Sequence, residues 1–244
     1  MTVNDYLKKM VSDGIDNGDI PAYLYKYMPI NQNSLRGLAN HSLWFSFLSS
    51  FNDPFEGQVV MDEDAINRAL KAYDFYSEKN NQLMRKSLEH ITKSLKKSST
   101  VCCFSNTADD ILLWSHYSDC HRGMCLKFDL KKDLDFFSPL MKVKYDSELE
   151  PAQDSNSILN HCFLRKYDAW QYEKEFRIVK KQKAGAYEYK SDALSEVIFG
   201  CRTSKDDQRI VFSILKDKTN FKICRLHREQ FKLKLVKLSQ TKIL

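Results

Sequence analysis

Two rhythms of apolar residues run along the chain. Val3, Tyr6, Leu7 and Met10 recur at helical spacing, which predicts an amphipathic helix over residues 2–15, closed by Gly14 and Gly18. "AYLYKYM" (Ala22 to Met28) is rich in β-formers and sits between Pro21 and Pro29, so it reads as a strand. "NQNSLRGLAN" predicts a short helix with an asparagine cap, and "SLWFSF" (Ser42 to Phe47) a second strand. "SSFNDPFEG" reads as a loop, because Asn-Asp-Pro is strong turn chemistry.

Residues 62–97 hold no Pro or Gly, open on acidic residues and close on lysines, which suits a helix dipole. They predict a helical insertion on one side of the core, broken near "EKNN" (Glu78 to Asn81) into a hairpin. Further strands are expected at "STVCCFS" (Ser99 to Ser105), "MCLKFDL" (Met124 to Leu130), "MKVKYD" (Met141 to Asp146), "EVIFG" (Glu196 to Gly200), "FKICRLH" (Phe221 to His227) and "FKLKLVKL" (Phe231 to Leu238). Helices are expected at "ADDILLWSHYSD", capped by Asp109 or Asp110, and at 155–167 and 204–216. Helical and strand signals are interspersed, so the expectation is one α+β domain over 1–244, with a mixed, split β-sheet flanked by helices.

"WQYEKEFRI" (Trp170 to Ile178) raises the question of chemistry. Read as a strand, it puts Trp170, Tyr172, Lys174, Phe176 and Ile178 on one face and Gln171, Glu173, Glu175, Arg177 and Val179 on the other. The polar face is either an exposed ion-pair ladder or the wall of a site. Two carboxylates at i and i+2 suit acid–base work, and a neighbouring guanidinium lowers a carboxylate pKa.

The 12% aromatic content argues against disorder, and the net charge of +6 permits an anionic partner without demanding one. Seven cysteines, an odd number, follow a polar N-terminus with no apolar run of membrane length. The expectation is a cytoplasmic protein with free thiols and no membrane partner. Motifs of P-loop, dinucleotide-fingerprint, nucleophile-elbow and zincin type are missing. His116, Cys120, His121 and Cys125 lack a paired C-x-x-C knuckle, so no metal site is expected there. Trp114 and Tyr117 are spaced for one helix face, with His116 pointing elsewhere.

"YKY" (Tyr25 to Tyr27), "LWFS" (Leu43 to Ser46), "FNDPFE" (Phe51 to Glu56), "CFS" (Cys103 to Ser105), "LWSHY" (Leu113 to Tyr117), "GMCLKFD" (Gly123 to Asp129), "VKY" (Val143 to Tyr145) and "WQYEKEFR" (Trp170 to Arg177) occur in this order. The series, spanning about residues 22–200, resembles a widespread bacterial family catalogued as domain of unknown function 2971. That family name carries no activity.

A more distant similarity is to the ADP-ribosyltransferases, whose three signature strands offer a His or Arg, then an aromatic or Ser, then a Glu often present as Glu-x-Glu. "YLYKY", "LWFSF" and "YEKEFR" stand in that order, although the first has Tyr-Lys-Tyr where the family has His or Arg. The resemblance implies that NAD is the nucleotide substrate, cleaved at its nicotinamide–ribose bond, in a toxin or phage-defence effector with a protein or nucleic-acid acceptor. Glu175 is then catalytic, Glu173 assists and Arg177 orients them. Tyr25, Lys26 and Ser46 bind NAD, Asn52 and Asp53 shape the rim, and His116 and Tyr117 approach the same cleft. Two alternatives remain open. One is a non-catalytic effector that binds nucleic acid or a partner through its basic C-terminal stretch and lysine-rich insertion. The other is a nuclease holding Mg²⁺ with Asp53, Glu173 and Glu175.

Overall fold

Alternation along the strands decides which side of the sheet each residue serves. In the computed structural model, which describes residues 2–72, 76–215, 219–227 and 229–238, eight strands form one mixed sheet. They are β1 (Tyr23–Met28), β3 (Thr100–Ser105), β4 (Met124–Asp129), β5 (Leu140–Lys142), β8 (Glu175–Lys180), β10 (Leu194–Phe199), β11 (Asn220–Leu226) and β12 (Leu233–Lys237), in the spatial order β12-β11-β10-β4-β1-β3-β8-β5. All neighbours are antiparallel except β10 and β11. Apart from this sheet, β2 (Ser42–Phe45) pairs with β9 (Gly185–Glu188), and β6 (Lys144–Asp146) with β7 (Arg165–Tyr167).

One face of the sheet is sealed by Leu24, Phe104, Leu126, Phe128, Phe176, Ile178, Val197 and Phe199. Helices α1 (Val3–Asp16), α2 (Gln32–Ala39), α6 (Leu134–Phe137) and α8 (Lys205–Leu215) bring Val11, Leu38, Phe136, Phe137, Val211 and Leu215 to this core. The other face carries Tyr27, Cys125, Ile198 and Cys224 under helix α5 (Ile111–Tyr117), whose Trp114 is fully buried and meets Tyr27 edge-on at 5.1 Å. Residue parity on β1, β3 and β8 leaves Tyr25, Cys103, Ser105, Glu175 and Arg177 on this second face.

The insertion consists of α3 (Glu63–Ala72) and α4 (Glu78–Ser98), joined across Arg85 and Glu63 at 2.7 Å. The chain breaks just ahead of Glu78, where the Ser77 side chain caps α4; residues 73–75 lie outside the described residues. The expected asparagine cap is Asn31, and of Asp109 and Asp110 it is Asp110 that caps α5; both side chains bond their helix N-termini.

Several expectations need correction. The first helix runs through Gly14 to Asp16, and Gly14 packs against Ile20. The helix expected over 155–167 is α7 (Ser155–Phe163), after which Arg165–Tyr167 pair as a strand. "MKVKYD" is two strands, because Val143 leaves β5 and its N–H donates to the Glu175 carbonyl. "WQYEKEFRI" is not a strand throughout. Asp168–Glu173 form a 3₁₀ helix, Lys174 turns left-handed at φ 46°, and the strand begins at Glu175. Position 216, at the end of the expected 204–216 helix, lies outside the described residues. Among the described residues no helix is long and apolar enough to cross a membrane, and the seven cysteines are free thiols.

Candidate functional site

A row of residues in register crosses the middle of the sheet. Tyr25 on β1 faces Ser105 on β3, and Ser105 faces Glu175 on β8. Strand spacing makes that row about 10 Å wide. It is the floor of a cleft of about 360 Å³. β1 and β3 share only the Tyr25–Ser105 pair, so the sheet opens here. Lys26 fills the opening and donates to the Cys103 carbonyl at 2.8 Å.

Four further segments build the walls. β2 continues into Ser46, which bridges Val101 on β3 through two backbone hydrogen bonds. Alternation on β2 sends Leu43 and Phe45 into the core and turns Trp44 and Ser46 to the cleft, where Trp44 remains 61% exposed. The loop after β2 supplies Ser50, Phe51 and Asn52. α5 supplies Leu113, His116 and Tyr117, and β7 with its following 3₁₀ helix supplies Lys166 and Glu173.

A continuous polar chain lies behind these walls. Asn52 Nδ2 donates to the Tyr117 hydroxyl at 3.2 Å, and that hydroxyl donates to Glu173 Oε1 at 2.6 Å. Lys166 Nζ donates to Glu173 Oε2 at 2.5 Å and lies 3.5 Å from Glu175 Oε2. Arg177 holds both oxygens of Glu175, through Nε at 2.8 Å and a terminal nitrogen at 3.0 Å. Its terminal nitrogens also grip both oxygens of Glu56, at 2.5 and 3.0 Å, and one donates to the Phe163 carbonyl. Such forked, charge-assisted contacts fix orientation as well as charge. The polar face of the motif is therefore no surface ladder, since Lys166, Glu173, Glu175 and Arg177 are all buried.

The backbone around the two carboxylates is pinned too. The Ser105 hydroxyl donates to the Glu173 carbonyl at 2.6 Å, and the Glu175 N–H donates to the Tyr145 hydroxyl at 2.8 Å. The left-handed Lys174 between them lets the 3₁₀ helix and the strand meet, so that both acids serve one cleft.

Environment separates the two acids. Burial raises the Glu175 carboxyl, but Arg177 and Lys166 outweigh it and hold the group down at about 2. Glu173 goes the other way. Its burial, with the charge of Glu175 beside it, lifts it above the ordinary carboxylate value despite Lys166. Burial alone would lower Lys166, yet Glu175 and Glu173 raise it, so it remains an ammonium. The Tyr117 phenol is pushed up by burial and by Glu173, so it stays protonated and donates. Burial and the neighbouring cations thus push the two carboxyls in opposite directions.

Of the expected site residues, Tyr25, Lys26, Ser46, Asn52, His116, Tyr117, Glu173 and Glu175 line the one cleft. Arg177 stands behind Glu175 and does not reach the lining. Asp53 is buried outside the lining, with Oδ1 accepting the Phe55 N–H at 2.9 Å. The carboxylate trio needed for Mg²⁺ is therefore incomplete. Among the described residues no group of three or more His, Cys, Asp or Glu side chains is arranged to hold a metal ion. His116 sits at the mouth, where its Nδ1 lies 2.9 Å from the Tyr172 hydroxyl and its ring meets Trp170. Lys166, Ser105, Trp44 and Glu56 were not singled out from the sequence. Strand alternation already couples Trp44 to Ser46, but nothing local marks Lys166.

Residues 113–178 match the family model described as "Protein of unknown function (DUF2971)". The chain resembles that family over the segment that carries most of α5 with Lys166, Glu173, Glu175 and Arg177, the larger part of the polar chain behind the cleft. No curated protein and no solved structure matches the chain.

Proposed function

We propose that the protein is an ADP-ribosyltransferase-like enzyme that cleaves the nicotinamide–ribose bond of NAD. The observation that carries this reading is the meeting of Tyr25, Ser105 and Glu175 in one row, with Glu173 and Tyr117 above it, in a cleft walled by aromatic rings. Tyr25, Phe51 and Trp44 offer flat surfaces for a nicotinamide ring. As the C1′–N bond breaks, its electron pair leaves with the ring nitrogen and neutralises the pyridinium, and positive charge develops on the ribose. A carboxylate already fixed as an anion stabilises that charge with no reorganisation, which is the role of Glu175. Glu173, whose pKa is raised, takes the proton from the attacking acceptor. Lys166, Arg177 and Tyr117 hold the two acids in place.

Such chemistry suits a bacterial toxin or phage-defence effector working in the cytoplasm, where NAD and reduced thiols are found. A second reading is favoured by one feature of the same site: both oxygens of Glu175 are already bonded to Arg177. That saturation suits a cleft that binds a nucleotide without turning it over. NAD consumption by purified protein, followed by mass spectrometry of the products, separates the two. Nicotinamide release that is lost in Glu175→Gln supports the enzyme. NAD binding without release in either protein supports the binding cleft. Absence of both binding and release overturns the NAD reading altogether.

A further inference from the structure

The C-terminal stretch is strongly basic. Residues 220–238 hold four lysines and two arginines against one glutamate, a net +5 within a chain of net +6. These residues include the β11–β12 hairpin, whose outer strand β12 is the sheet edge. Lysines on an edge strand commonly guard against aggregation. Two features here go further than a guard requires.

The first is the register. Arg225 stands directly opposite Lys234, and Lys222 opposite Lys237. Like charges facing each other across strands are destabilising. Glu196 relieves Lys222 at 2.8 Å, whereas Arg225 and Lys234 are exposed and have no acidic partner among the described residues. The second is the tip. Phe231 is completely exposed and Leu226 is 70% exposed, in company with Lys232 and His227. A guard strand has no need of a free aromatic ring. Leu233 and Leu235 pack on the cleft side, into the cluster that also holds Tyr25 and Tyr117, so strand alternation turns Arg225 and Lys234 to the opposite face, with Ile223 and Val236.

We propose that the β11–β12 hairpin docks single-stranded nucleic acid, with Arg225, Lys232 and Lys234 on phosphates and Phe231 stacked on a base. Closely spaced cations beside an exposed ring are the combination that binds single strands without reading sequence. The proposal goes beyond NAD chemistry and concerns a surface apart from the carboxylates, so it stands or falls independently of NAD turnover.

Fluorescence anisotropy with labelled single-stranded DNA and RNA, across a salt series, tests it on the whole protein. Wild type is expected to bind at low salt and to weaken steeply as salt rises. Phe231→Ala should weaken binding roughly tenfold. Arg225→Glu gives Lys234 an opposite charge, so the hairpin gains a favourable cross-strand pair while the docking surface loses a cation. That variant should melt no lower than wild type, bind at least several-fold more weakly and show a shallower salt dependence. The proposal is overturned if wild type fails to bind oligonucleotides at low salt, or if both variants bind as wild type does. Capture by phosphatidylserine vesicles without oligonucleotide binding overturns it too, in favour of an anionic membrane surface.

Discussion

Arg177 and Glu56 lie 121 positions apart and meet as a forked ion pair with both side chains out of water. The pair ties the loop after β2 to the strand that carries Glu175. That loop also presents Phe51 and Asn52 to the cleft, so one guanidinium fixes a wall and a floor together. Arg177→Met should cost roughly 3–5 kcal/mol in chemical denaturation, because Glu56 and Glu175 would stay buried without their partner. Arg177→Lys should not restore stability, since an ammonium cannot span two carboxylates with forked geometry. Equal stability of Arg177→Met and wild type would show that the pair is not what joins loop to strand.

Glu175 makes stability depend on acid. Its folded pKa of about 2 lies below the ordinary 4.5, so the folded state favours its ionised form. The resulting stabilisation is complete above about pH 4.5 and is lost as pH falls toward 2. The difference corresponds to about 3 kcal/mol. Urea melts of wild type should therefore weaken over this window, and those of Glu175→Gln should weaken less. Parallel curves for the two proteins would count against the assignment.

If Glu173 is the base, the rate must rise with pH through its pKa, which burial and Glu175 lift above the ordinary 4.5. The acid limb of kcat/KM should accordingly lie above pH 4.5. Tyr117→Phe removes a hydrogen bond that favours the carboxylate, so the limb should move to higher pH and the plateau should fall roughly tenfold or more. A limb that stays in place in Tyr117→Phe would exclude Glu173 as the titrating group.

Trp44 is the exposed aromatic residue on the cleft wall and contributes little to the core. Trp44→Ala should leave the melting temperature within a few degrees of wild type. It should raise KM or Kd for NAD by roughly tenfold, the loss expected for one stacked ring, with kcat less affected. Trp44→Phe should recover much of that affinity. A loss confined to kcat would point to a role other than stacking.

Much of this molecule was legible in its residues. The strands at Ala22–Met28, Ser99–Ser105 and Met124–Leu130, and the short helix capped by Asp110, follow from local patterning and turn chemistry, because each is stabilised within a few residues of itself. Alternation also separated Phe176 and Ile178 from Glu175 and Arg177 correctly, even though the strand starts five residues later than its pattern suggests. A left-handed Lys174 cannot be inferred from a lysine, since only the packing of the 3₁₀ helix on the strand selects that backbone.

What only the tertiary structure decided is the company each charge keeps. The sequence placed two acids and an arginine side by side and left open whether they stood in water. Burial by the rest of the fold answered that: Glu56 arrives from a loop, Tyr117 from a helix and Lys166 from the short strand just before the motif. A carboxylate's pKa is set by the charges and the water around it, and those come from the whole fold. Local sequence determined where Glu173 and Glu175 lie, and the assembled chain determined that one is locked as an anion while the other can accept a proton.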